Sequence, residues 1–120
     1  MAKKILVVDD EPDVLKVLLL RLKKTGYEAI GARDGQEAVD LARQIIPDLI
    51  ILDFHLPDMN GDAVAKIIKE DKNTKQIPII LISATITSVA ERARECGANW
   101  HIAKPFEPKE LIDAVMKLLG

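Results

Sequence analysis

Residues 47–61, PDLIILDFHLPDMNG, decide the fold of this 120-residue chain. Leu49 to Leu52 is a short, wholly apolar run bounded by Pro and Asp. Its brevity and its lack of any polar face predict a strand buried on both sides, as in a parallel sheet. The strand ends on one acid, Asp53, and a loop follows, built around Pro57, Asp58, Asn60 and Gly61. An ionised carboxylate at the end of a buried strand has little water around it and needs a partner or a task. Alone, Asp53 also reads as a cap for the next turn. Its meaning rests on what the rest of the chain brings beside it.

Upstream, Lys4 to Val8 (KILVV) is a second apolar strand, finishing on Asp9 and Asp10. Glu11-Pro12 then opens a helix with Asp10 as the expected N-cap and Pro12 in the first turn. Val14, Val17, Leu18 and Leu22 form its predicted inner stripe, and Gly26 ends it. Tyr27 to Ala32 is a more mixed strand. Asp34 and Glu37 have capping-box spacing, and a helix bearing Ala38, Val39, Leu41, Ala42 and Ile45 runs to Pro47. Downstream, a helix over residues 63–70 turns Val64, Ile67 and Ile68 inward and Lys66, Lys69 and Glu70 outward. After the polar stretch DKNTKQ (residues 71–76), Ile77 to Ile82 is an apolar strand ending on Ser83. Residues 85–96 form the least apolar helix, closed by Gly97. Trp100 to Ala103 is a short strand running into Lys104-Pro105. Glu107 to Leu119 is the last helix, with Leu111, Ile112, Val115, Leu118 and Leu119 as its stripe.

Five strand–helix units in succession predict an α/β fold with a parallel sheet and helices on both faces. The first, third and fourth strands are apolar throughout and belong in the centre. The second and fifth mix in Glu, Gly, Trp and His and belong at the edges. Order 2-1-3-4-5 of a flavodoxin-like (βα)5 fold satisfies this. Ligands of such sheets bind outside the carboxyl ends of the strands, where the strand order reverses. Asp9, Asp10 and Asp53 are therefore expected in one crevice, with Ser83 and Lys104 on adjoining strand ends.

Composition narrows the classes. One domain over residues 1–120 is the expected organisation, and 48% apolar with 30% charged residues is a globular profile. A net charge of −2 gives no field for nucleic acid or an anionic membrane surface. The apolar runs are far short of a bilayer span and no leader opens the chain, so a cytoplasmic location is expected. The single cysteine, Cys96, cannot form an internal disulfide. No Cys/His set has zinc spacing, and no Gly-rich phosphate loop is present.

Three carboxylates in one pocket repel each other, and staying ionised together calls for a cation. Oxygen ligands with room for water suit Mg²⁺, or Mn²⁺, better than zinc. Lys104 supplies an ammonium, and Ser83 a hydroxyl beside the backbone N–H of Ala84. Cation, lysine and hydroxyl would each take one equatorial oxygen of a phosphoryl group in transfer. Asp53, between them, is placed to act as nucleophile and form an acyl phosphate. The turn that aims Lys104 into the crevice predicts a cis bond before Pro105. Each residue alone has a plainer reading: Asp10 and Ser83 as helix caps, Lys104 as a solvated charge.

Asp9-Asp10, Asp53 within D-x-x-L-P-x-M-x-G, Ser83-Ala84 and Lys104-Pro105-Phe106 together resemble the receiver domain of bacterial two-component response regulators, chemotaxis regulators included. The resemblance runs from about Lys4 to Leu119. It implies Asp53 as phosphoacceptor, with Asp10, Asp53 and the backbone carbonyl of His55 on Mg²⁺ and Asp9 acting through water. It implies Ser83, Ala84 and Lys104 as phosphoryl ligands, and His55 and Thr85 as residues that tune phosphate lifetime. The family's switch pairs the hydroxyl after the fourth strand with an aromatic that is usually Tyr or Phe. That position holds His101, which is smaller and can gain a proton. The implied partners are a histidine kinase or histidine phosphotransfer protein, and a downstream protein reading the face made by the 85–96 helix, the fifth strand and the last helix. Nucleic acid and membrane are not expected partners of these residues. Two other readings compete: an aspartyl-phosphate hydrolase, whose D-x-D signature would need an acid at His55, and a degenerate receiver that binds partners without phosphate. The chain is either a stand-alone receiver or a piece of a longer regulator.

Overall fold

The computed structural model describes residues 2–84, 91 and 93–119. Five strands, β1 (Lys4–Val8), β2 (Glu28–Ala32), β3 (Leu49–Asp53), β4 (Ile79–Ser83) and β5 (Trp100–Ala103), form one parallel sheet. Their order is β2-β1-β3-β4-β5, as the strand compositions predict. Helices α1 (Pro12–Lys24), α2 (Gly35–Ile45), α3 (Gly61–Glu70) and α4 (Pro108–Leu119) pack on it. Residues 93–96 are helical too, while most of the helix expected over 85–96, Thr85 included, lies outside the described residues.

Strand residues point alternately to the two faces, and this divides the core. Leu6, Val8, Ile50, Leu52, Ile79 and Leu81 pack with α2 and α3 on one side. Ile5, Val7, Leu49, Ile51, Ile80 and Ile82 pack with α1 and α4 on the other. Both faces of the three central strands are thus covered, which is why their sequences lack polar alternation. Register sets Val8 beside Leu52, Asp53 beside Ile82 and Ser83 beside Ala103. The chemistry-bearing residues all follow or end a strand at the same rim.

Several local expectations need correction. The inner stripe of α1 is Leu15, Leu18 and Leu22, whereas Val17 is 50% exposed. The run VLKVLLL is apolar in almost every helical phase, so it leaves the phase open. Gly31 in β2 decides it, because a Cβ there would stand 3.1 Å from Leu15 Cδ2. Glu11, not Asp10, is the N-cap of α1. Asp34 does cap α2, accepting from the Glu37 N–H at 2.7 Å, but the Glu37 carboxylate reaches back to the Arg33 N–H and not to that of Asp34. Strand β4 begins at Ile79, two residues later than expected; Pro78 has no N–H to give a ladder, though its carbonyl accepts from the Ile50 N–H. Lys69 is turned in, with Nζ donating to Ile77 O at 2.7 Å and to Asn99 Oδ1 at 3.0 Å.

Candidate functional site

The site is built at the carboxyl rim from β1, β3, β4 and β5. Asp9 follows β1 and is buried, with its N–H donating to Ala32 O at 3.1 Å. That bond ties the first acid to the end of the neighbouring strand. Its Oδ1 accepts from the Glu11 N–H at 3.0 Å. Asp10 points outward enough to be exposed. Asp53 closes β3 and is buried. Carboxylate oxygens of Asp9, Asp10 and Asp53 lie within 4.8 Å of one another.

Lys104 enters this cluster from β5. Its Nζ donates to Asp53 Oδ2 at 3.0 Å and stands 4.0 Å from Asp9 Oδ2. The Lys104 N–H donates to Ser83 O at 2.9 Å, so main chain and side chain together link β5, β4 and Asp53. The Lys104-Pro105 peptide bond is cis. Burial pushes the Asp9 carboxyl above the ordinary carboxylate value; the Asp53 charge adds to this, and the Glu11 N–H and Lys104 oppose it. Burial works against the Lys104 charge, but the hydrogen bond and charge of Asp53, with Asp9 and Glu11, outweigh it and hold the ammonium above its ordinary value. Three carboxylates facing one ammonium leave negative charge uncompensated. That donor set, all oxygen and partly open to water, fits a hard divalent cation.

The loop after Asp53 is tightly closed. His55 and Asn60 form an antiparallel bridge, and the Gly61 N–H donates to Phe54 O at 2.6 Å. Gly61 is there because the chain passes over the end of β3: a Cβ would clash with Asp53 O. The His55 N–H reaches Asp53 Oδ1 at 3.4 Å. His55 itself is exposed. Ser83 is buried at the end of β4, and the adjoining Ala84 is exposed beside Lys104. The structure therefore brings Asp9, Asp10, Asp53 and Lys104 together, with Ser83 on the same rim. His101 lies in β5, opposite Leu81 and exposed to solvent.

One residue at this rim reads in the sequence only as a loop former. Asp58 accepts from the Gly35 N–H at 2.7 Å and the Gln36 N–H at 2.9 Å, pinning the loop to the first turn of α2. An acid between Pro57 and Met59 has the same look whether it stabilises its own turn or reaches a distant helix, so no signal in the sequence separates the two.

The response regulator receiver domain model matches residues 5–116. The polar-differentiation response regulator DivK of Brucella suis is 36% identical over the whole of this chain and 98% of its own length. A probable transcriptional regulator, ycf27 of Guillardia theta, is 41% identical over 91% of this chain, which spans only 42% of that protein. Among solved structures, the response regulator TrrA of Thermotoga maritima, in complex with Mg²⁺ and BeF, superposes with a TM-score of 0.88. It is 37% identical, covering 98% of this chain and 99% of its own.

Proposed function

The chain belongs to the response regulator receiver domain family of two-component signalling, and from that premise we propose that it acts as a single receiver domain over residues 1–120, taking a phosphoryl group onto Asp53. One observation carries this reading: Asp53, closing a central strand, meets Asp9 and Asp10 on one side and the Lys104 ammonium on the other. Asp9, Asp10, Asp53 and the backbone carbonyl of His55 would hold Mg²⁺, with Mn²⁺ able to replace it. Bound there, the cation supplies charge neutralisation for the carboxylates and the incoming phosphoryl oxygens.

The donor is a phosphohistidine on a histidine kinase or phosphotransfer protein. An Asp53 carboxylate oxygen attacks phosphorus, the P–O bond forms as the P–N bond breaks, and the electron pair leaves on the imidazole nitrogen, which is then protonated. Lys104 moves from the carboxylate to a phosphoryl oxygen. The Ser83 hydroxyl and Ala84 N–H take a second, and the third would face the cation. Hydrolysis restores the site: water attacks phosphorus, the P–O bond to Asp53 breaks, the carboxylate returns with that electron pair, and inorganic phosphate leaves with the oxygen and protons of the water. By the family resemblance, His55 and Thr85 are the residues that tune its rate. The chain catalyses this chemistry on itself alone and serves as a signalling module of the cytoplasm. Ser83 and His101 would relay the change to a protein partner on the face that includes β5 and α4. Among the described residues no helix is long and apolar enough to cross a membrane.

Incubation with a small phosphoramidate and Mg²⁺ should add one acid-stable, base-labile phosphoryl group by intact mass. Asp53→Asn should remove it and chelation should prevent it. A phosphate that persists on another residue of Asp53→Asn overturns the assignment.

A further inference from the structure

We infer that Asp58 is a positioning residue for the divalent-cation site, acting through the loop it ties to α2; this rests on the reading of Asp9, Asp10 and Asp53 as that site. Backbone donors outnumber local acceptors in the first turn of α2. Three of its N–H groups, those of Gly35, Gln36 and Glu37, would otherwise lack helical acceptors. The local cap Asp34 takes only Glu37, at 2.7 Å. The other two go to Asp58, more than twenty residues away in the chain, one to each carboxylate oxygen at 2.7 and 2.9 Å. The same N–H groups, Gly35 first and Gln36 second, hold the Asp58 carboxyl below the ordinary carboxylate range.

The contact is backed by packing. Met59 lies against the bare Cα of Gly35, where a Cβ would stand 2.5 Å from Met59 Cγ. Between the tip at Asp58 and the acid at Asp53 the loop is tied across its stem by the His55–Asn60 bridge and the Gly61 N–H to Phe54 O bond. On its other side the 32–37 segment holds the first acid, because Ala32 O accepts from the Asp9 N–H at 3.1 Å. One short stretch of chain thus braces both walls of the crevice, touching Asp9 at Ala32 and the Asp53 loop at Gly35 and Gln36. Asp34 caps the same helix without reaching either wall.

That difference provides the test. Mn²⁺ alone is the probe, titrated by electron paramagnetic resonance into wild type, Asp58→Ala, Asp58→Asn and Asp34→Ala, with urea denaturation on each. Both alanine variants lose a carboxylate from one helix N-terminus and should be destabilised to a similar degree. Asp58→Ala should bind Mn²⁺ more weakly by on the order of tenfold, the usual scale for losing support behind a metal ligand. Asp58→Asn, which keeps one acceptor oxygen, should fall between, and it carries the test if Asp58→Ala does not fold. Asp34→Ala should bind like wild type. Phosphorylation of Asp58→Ala by a small phosphoramidate should be slow at limiting Mg²⁺ and recover at saturation. Equal Mn²⁺ affinity in the Asp58 and Asp34 variants overturns the inference. Wild type that binds Mn²⁺ in an Asp58-dependent way yet takes no phosphate on Asp53 overturns the phosphoacceptor reading instead.

Discussion

At Asp58 two backbone N–H groups converge on one exposed carboxylate, and this gives the fold a pH dependence that can be isolated. The folded-state carboxyl lies below its ordinary value of 3.8 because the Gly35 and Gln36 N–H groups favour the charged form. A depressed carboxyl stabilises the fold fully above its unfolded pKa, and that contribution is lost as pH falls through the folded one. The stability gap between wild type and Asp58→Asn should therefore be constant from neutral pH down to about pH 4 and shrink below it. Urea midpoints of both proteins across that range check this, and a gap that widens on acidification contradicts it. The acids themselves were legible in the sequence, since Asp9, Asp10 and Asp53 each follow an apolar run whose end is fixed by the sheet. Asp58 was not, because its partners are brought by topology from a different strand–helix unit. Lys69 was missed for a related reason: on a surface helix an amphipathic lysine looks solvated until the Ile77 carbonyl and Asn99 side chain arrive to receive it.

Elements carry their own strain. Helix α2 ends on Ile46 at φ 44°, ψ 71°, a left-handed conformation that crowds a β-branched side chain. Such a conformation costs an L-residue on the order of 1–2 kcal/mol, and Asn, which tolerates it, is spared most of this. Ile46 is 40% exposed, so replacing it forfeits only part of a side chain's burial. Ile46→Asn should therefore stabilise the fold by about 0.5–1 kcal/mol, read as a higher urea midpoint with an unchanged slope. A lower midpoint would place the value of Ile46 in its packing. The strands were predictable as elements because burial on both faces leaves one composition possible. Helix phase was less so. In α1 most positions from Val14 to Leu22 are apolar, so the face is settled by what packs on it, with Leu15 lying over Gly31 of β2. The N-cap of α1 falls one residue later than expected, at Glu11, which makes no side-chain capping bond, while a carboxylate oxygen of Asp10 lies within 4.8 Å of those of Asp9 and Asp53.

Across the whole molecule, the sheet joins a buried acid at its centre to an edge strand exposed at its rim. β5 pairs on one side only, with β4, and is four residues long. Short edge strands are among the first parts of a fold to shift. Its link to the centre is Lys104, which donates through Nζ to Asp53 and through its backbone to Ser83 O. A phosphoryl group on Asp53 would draw Nζ to a new oxygen, and the chain from Ala103 must follow. At the far end of β5, Trp100 is 44% exposed and Lys117 of α4 lies over its ring at 5.4 Å. Cation–π attraction depends on that distance, so a small slide of β5 against α4 alters the environment of the only tryptophan. Beryllofluoride with Mg²⁺ should therefore change Trp100 emission in wild type. Mg²⁺ alone should do little, because Phe54 and not a tryptophan follows Asp53. Asp53→Asn should abolish the response, and Lys117→Met should reduce its size while leaving mimic binding intact by fluorine NMR. If the mimic occupies the site and Trp100 emission does not move, the signal does not leave through β5.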